Sequence, residues 1–194
     1  MATREAYRLD LKDKLLGIED EGYGDFEYSD LELNTYLEMA VARLYPAVYQ
    51  RASADDQTVT SYGNRGLGYV ALADADRVFM VEEATELEPV TGWQIRPGRI
   101  VGISDVNETV NVYYHDAYVL PSDDVTDAGI PAMFAPLVVL GALIEALESR
   151  HDTGIRGDEQ PHGFHSETQL LDRLSARYSI LKEDLAMALP GVFV

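Results

Sequence analysis

Along this chain the spacing of apolar residues changes twice. Residues 3–16 predict a short helix whose apolar content is Leu9, Leu11, Leu15 and Leu16. An acidic, glycine-bearing loop follows from Gly17 to Tyr28. Ser29-Asp-Leu-Glu32 then has the capping-box pattern, in which a serine hydroxyl and a glutamate carboxylate satisfy free backbone N–H groups at a helix start. Behind it Leu33, Leu37, Val41, Leu44 and Val48 recur every three or four residues, a single buried stripe on a helix running to Tyr49. Pro46 lies late in this pattern, where it kinks or shortens the helix.

From Gln57 to Pro121 the period approaches two. Thr58–Tyr62, Gly68–Leu72, Arg77–Val81, Trp93–Ile95, Arg99–Ile103 and Thr109–Tyr114 are short runs rich in β-branched and aromatic residues. Gly63-Asn-Arg-Gly66, Pro97-Gly98 and Asp105-Val-Asn107 supply turns. Such spacing predicts a small antiparallel sandwich or barrel with Phe79, Trp93, Ile95, Val101, Ile103 and Val112 as its core.

The helical period returns after Pro131. Phe134 to Leu147 is apolar on nearly every face, and Ser166-Glu-Thr-Gln169 reads as a second capping box. Leu170, Leu171, Leu174, Tyr178, Leu181, Leu185 and Leu189 then mark an amphipathic helix that stops at Pro190-Gly191. The expected fold class is α+β. Residues 1–56 and 122–194 form a helical bundle, with a β-rich insert at 57–121.

Ala128 to Ile144 carries no charge. A membrane span needs about 20 such residues, and this run is shorter, broken by Gly129, Pro131, Pro136 and Gly141, and flanked by acids. A helix apolar all round must be covered on all sides, either inside the monomer or by a neighbouring subunit. The candidate interface residues are Phe134, Leu137, Leu140, Leu143, Ile144 and Leu147.

Composition narrows the chemistry. The 194 residues include no cysteine, which removes disulfides, thiolate metal sites and a cysteine nucleophile and fits a reducing compartment. The beginning of the chain has no apolar stretch of the signal-peptide kind. Net charge is −19, spread as −6 over residues 1–50, −9 over 51–130 and −4 over 131–194, with no basic stripe to displace counterions from a phosphate backbone.

Candidate sites are few. His162-Gly-Phe-His165 near Asp158 and Glu159 is the one metal-like cluster, and its glycines and proline read better as an interhelical loop. Gly63-Asn-Arg-Gly-Leu-Gly68 lacks the lysine ending of a phosphate loop, Arg156-Gly-Asp158 is read as chance, and the sequon at Asn107 as a polar turn. No serine-hydrolase elbow or zinc-protease motif occurs. No catalytic residue, cofactor or metal is therefore expected. Val192-Phe-Val194 closes the sequence as an apolar segment that either folds back or docks on a partner.

The order of a capped amphipathic helix at Ser29–Tyr49, an alanine- and leucine-rich helix at Phe134–Ser149, a polar loop and a charged amphipathic helix at Glu167–Leu189 resembles the head-to-tail connector, or adaptor, proteins of long-tailed bacteriophages. The resemblance covers the helical portions; the β region exceeds the family's minimal helical form. It implies a non-enzymatic virion protein made in the host cytoplasm and placed in the neck. There it would form a cyclic ring, a dodecamer, beneath the portal protein. The next neck or tail-completion protein would sit on it, and DNA would pass through without specific binding. Val192, Phe193 and Val194 would dock on the portal or an adjacent subunit. An acidic surface suits such a conduit, because a polyanion slides past it without sticking. The alternative is an acidic regulatory module that mimics DNA; a metal-dependent hydrolase built on His162 and His165 is a third reading.

Overall fold

The computed structural model describes residues 2–21, 26–45, 48–62, 66–73, 77–104, 109–156 and 164–188, with backbone alone for 151–156, 164–167 and 186–188. Helices and antiparallel sheets make it an α+β fold. The chain divides into two compact units, Met1–Val48 with Ala117–Val194, and Tyr49–Asp116. The β-rich unit therefore begins at Tyr49 rather than Gln57 and ends at Asp116 rather than Pro121.

In the helical unit α1 spans Arg4–Asp20, its first free N–H groups met by Thr3, whose Oγ1 accepts from the Ala6 amide at 3.2 Å. Its inner face is Tyr7, Leu11, Leu15 and Ile18; Leu9 and Leu16, expected to contribute, face solvent. Helix α2, Asp30–Ala42, starts at the expected capping box, with Ser29 Oγ accepting from the Glu32 amide and Glu32 accepting from the Ser29 amide. All five stripe residues, Leu33 to Val48, are buried. The helix ends at Ala42 all the same. Leu44 and Val48 reach the core from the turn beyond it, where the Val48 amide donates to the Leu44 carbonyl.

A 3-10 turn at Ala132–Phe134 leads into α3, Ala135–Arg156, and α4 spans Phe164–Ala188. Ser166, expected as an N-cap, lies inside α4, which starts two residues earlier. Helix α3 packs against α1, α2 and α4 at once. This is why its sequence is apolar all round, and it overturns the subunit-interface assignment. Phe134, Leu137, Leu140, Leu143, Ile144 and Leu147 are each 9% exposed or less and lie in one core with Leu11, Leu37 and Val41. Little of their surface is left for a neighbouring chain to cover. The segment Ala132–Arg150 is long and apolar enough to cross a bilayer, yet here it is the central core helix.

The second unit holds β1 (Gln50–Thr58), β2 (Thr60–Ser61), β3 (Leu67–Ala71), β4 (Val78–Glu83), β5 (Gln94–Arg96), β6 (Arg99–Ser104) and β7 (Thr109–Asp116). They form two antiparallel sheets ordered β1-β7-β4 and β2-β3-β6-β5. One core joins them, made of Val70, Val78, Val81, Ile100, Ile103, Val110 and Val112. Of the six core residues expected, Ile103 and Val112 belong to it and Trp93 packs at its edge, whereas Phe79 and Ile95 are 37% and 42% exposed and Val101 faces the other side of its sheet.

Bulges explain the misplaced residues. Register slips between Gly68 and Tyr69, where Gly68 pairs with Ile103 and Tyr69 with Val101, so Gly102 is an extra residue at φ 85°. A residue inserted in this way breaks strict alternation, and Ile100 and Ile103 both point inward. A second slip, between Val78 and Met80, turns Phe79 outward between two buried valines.

Gln50 pairs with Asp116, so the two ends of the β-rich unit leave it side by side. Replacing residues 49–116 with a short Gly/Ser linker is therefore expected to keep α1–α4 folded, because closing a short loop costs little chain entropy. Circular dichroism of that protein should show the helical signal of four packed helices; its loss would show that the helical unit needs the sheets.

Candidate functional site

Three polar arrangements in the structure could carry function. The first is a ladder between α1 and α2. Arg4, Arg8 and Lys12 recur every four residues and so share one face of α1. They meet Glu38, Asn34 and Asp30, spaced likewise on α2 and running the opposite way. Arg4 pairs with Glu38, Arg8 donates to Asn34 Oδ1 at 3.1 Å, and Lys12 donates to Asp30 at 2.6 Å. Arg8 also grips Asp124 with both terminal nitrogens, at 3.0 and 2.7 Å, a fork-to-fork pair of the strong kind. Its hydrogen bond to Asp124 raises the guanidinium's pKa and lowers that of the carboxyl; Asp30 is lowered by Lys12.

The second lies where α2, α3 and α4 meet. Glu145 is 5% exposed, with Arg43 Nη1 2.5 Å from its Oε1 in an ion pair that lacks hydrogen-bond alignment. Arg43 also approaches Glu148 at 3.8 Å. The buried Tyr178 hydroxyl has no hydrogen-bond partner. Burial raises the Glu145 carboxyl above its ordinary range, and Glu148 adds to that, while Arg43 opposes it. Burial likewise raises Tyr178.

The sign of the resulting pH dependence follows from linkage. A carboxyl whose folded pKa is raised binds its proton more tightly in the folded chain, so its contribution favours folding in acid and is lost as pH climbs above about 4.3, its unfolded value. Glu145→Gln is expected to abolish that loss, because Arg43 is half exposed and keeps Glu148. Denaturant titrations between pH 4.5 and 7 should show stability relative to wild type rising with pH; a parallel pair of profiles would show Glu145 to be ordinary.

The third is the outer surface of the β-rich unit. On the three-stranded sheet His115 stacks between Tyr49 and Phe79, with ring centroids 3.8 and 4.6 Å away, and Arg51 lies over Phe79 at 5.5 Å. Burial and then Arg51 lower the His115 pKa, which favours the neutral ring. On the four-stranded sheet, Tyr62, Leu67, Gln94, Arg96, Arg99 and Val101 line a depression of about 640 Å³.

Phe134 and the five α3 residues named from the sequence form the monomer's core, although Leu140 and Leu143 border a groove of about 630 Å³ between α1, α3 and α4. His162, the side chain of His165, and Val192, Phe193 and Val194 lie outside the described residues. Among the described residues no group of three or more acids or histidines could hold a metal ion. Comparison with protein-family models and with curated proteins finds no match. The sequence reading missed the ladder, whose signal was the four-residue spacing of Arg4, Arg8 and Lys12, and missed the paired arginines flanking Pro97-Gly98.

Proposed function

We propose that this chain is a non-enzymatic virion protein of the phage neck, a subunit of a ring beneath the portal that joins head to tail and lets DNA pass. In this reading the helical unit is a four-helix bundle forming the connector core, and the β-rich unit is a sandwich insert presented to a neighbour. The supporting observation is how the helical unit spends its cations. Arg4, Arg8, Lys12 and Arg43 are all tied to its own carboxylates. In a chain with 34 acidic and 15 basic residues, the cations that remain are far outnumbered by acids that repel a phosphate backbone. A polyanion moving along such a surface is repelled rather than held.

The ring contact must use surfaces other than the core face of α3, because the chain itself covers that face. The test is location. Antibody labelling or reconstruction of virions carrying the tagged protein is expected to place it between portal and tail, and particles lacking it should hold packaged DNA without tails. Density elsewhere in the virion, or normal tailed particles without the protein, would end this reading.

A further inference from the structure

Resting on the ring reading above, we propose that the outer face of the β2-β3-β6-β5 sheet is a docking surface for an acidic surface patch of a second copy of this chain. Arg96 and Arg99 close the β5–β6 hairpin and are direct cross-strand partners. Like charges placed opposite each other on a sheet repel and destabilise the pair. Neither arginine has an acidic partner among the described residues, although acids outnumber bases by more than two to one. Arg99 lies over the Tyr69 ring at 5.7 Å, and Tyr62 packs against Tyr69 at 5.1 Å, so the guanidinium is held on an aromatic platform.

Gly92 and Gly102 are among the residues that line the depression beside them. Gly92 and Gly102 sit at φ 83° and 85°, and a Cβ on Gly102 would lie 3.1 Å from the Gly92 carbonyl oxygen. The two guanidiniums, Tyr62, Thr91 and Gln94 line this hollow together with the apolar side chains of Leu67 and Val101, and it is large enough to admit carboxylates. Forked donors beside an aromatic surface suit carboxylates on a protein partner. Two arginines on an acidic chain are too few to hold a nucleic acid, whose binding needs several phosphates neutralised at once.

The charge pattern favours this same chain as the partner. The helical unit's basic residues at Arg4, Arg8, Lys12 and Arg43 are occupied internally, which leaves acids to dominate its surface. The β-rich unit presents Arg96 and Arg99 side by side, without an acidic partner among the described residues. Joining unlike patches on identical copies gives a head-to-tail contact, the kind that closes into rings.

Sedimentation velocity on the full chain tests this at about 0.15 M salt, where charge repulsion beyond about 8 Å is screened and contact pairs persist. Wild type is expected to self-associate with rising concentration. Arg96→Glu/Arg99→Glu should weaken association at least about tenfold, with circular dichroism and Tm unchanged. Arg173→Glu/Arg177→Glu alters net charge by the same amount on α4 and is expected to leave association intact. Equal association by wild type and the hairpin variant would overturn the docking surface while leaving the ring reading to virion location. So would equal weakening by both variants, which would assign the effect to net charge, or a wild type that stays monomeric up to about 1 mM.

Discussion

Leu137→Ala is expected to destabilise the isolated monomer by about 2–5 kcal/mol, because the side chain is fully buried and its removal leaves a cavity in the core of the helical unit. In a chain of this size each kcal/mol lowers Tm by about 2–4 °C. The loss should be the same at every protein concentration, since the residue packs within one chain. A Tm decrement that shrinks on dilution, or a stability within error of wild type, would return Leu137 to a subunit interface.

Gly141→Leu is expected to be comparably damaging, and Gly141→Ala nearly silent. Gly141 sits where α3 crosses α2: a Cβ there would lie 3.1 Å from the Ala40 Cβ and 3.4 Å from the Tyr178 ring. One methyl needs a shift of a few tenths of an ångström, offset by the roughly 1 kcal/mol that alanine gains over glycine inside a helix. Three more carbons have nowhere to go, and overpacking of this sort costs about 1–3 kcal/mol or more. Thermal melts of the two variants separate these outcomes. If leucine is tolerated as well as alanine, the helices do not approach as closely as Ala40 and Gly141 imply.

The parts of the fold legible in the sequence were those written in local signals. Ser29 and Glu32 marked the start of α2 because a capping box is complete within four residues, and the Leu33-to-Val48 stripe was read correctly because helical spacing reports burial directly. The end of α2 was not legible, since Leu44 and Val48 keep the spacing while the backbone has already turned. Strand β1 was passed over because its half-buried positions hold only Gln50, Ala52, Ala54 and Gln57, too weakly apolar to mark a period. The bulges at Phe79 and Gly102 moved core residues off the simple alternation; a glycine inside the β6 run was the available hint for one of them.

In the candidate sites, the cations could be counted but their partners could not be found. Arg8 reaches Asp124, 116 positions away, and no sequence spacing encodes that distance. The burial of the apolar run in α3 was legible, but the expected subunit interface was not sound, because hydrophobicity does not encode whether one chain or several do the covering. The structure assigns the work to α1, α2 and α4 of the same chain.

The α1–α2 ladder also bears on how the chain comes to be folded. Helix α2 makes its main contacts with α3, yet all of residues 49–134 are synthesised between them. At about 5–20 residues per second, ribosomes leave the apolar stripe of Leu33, Leu37 and Val41 waiting for seconds before its cover exists. Arg4–Glu38, Arg8–Asn34 and Lys12–Asp30 fix the register of α1 on α2 from contacts that are complete by residue 42. The nascent hairpin can therefore shelter part of that stripe before α3 emerges, and the polar rungs act as a temporary clasp during synthesis, well before they matter to the finished protein.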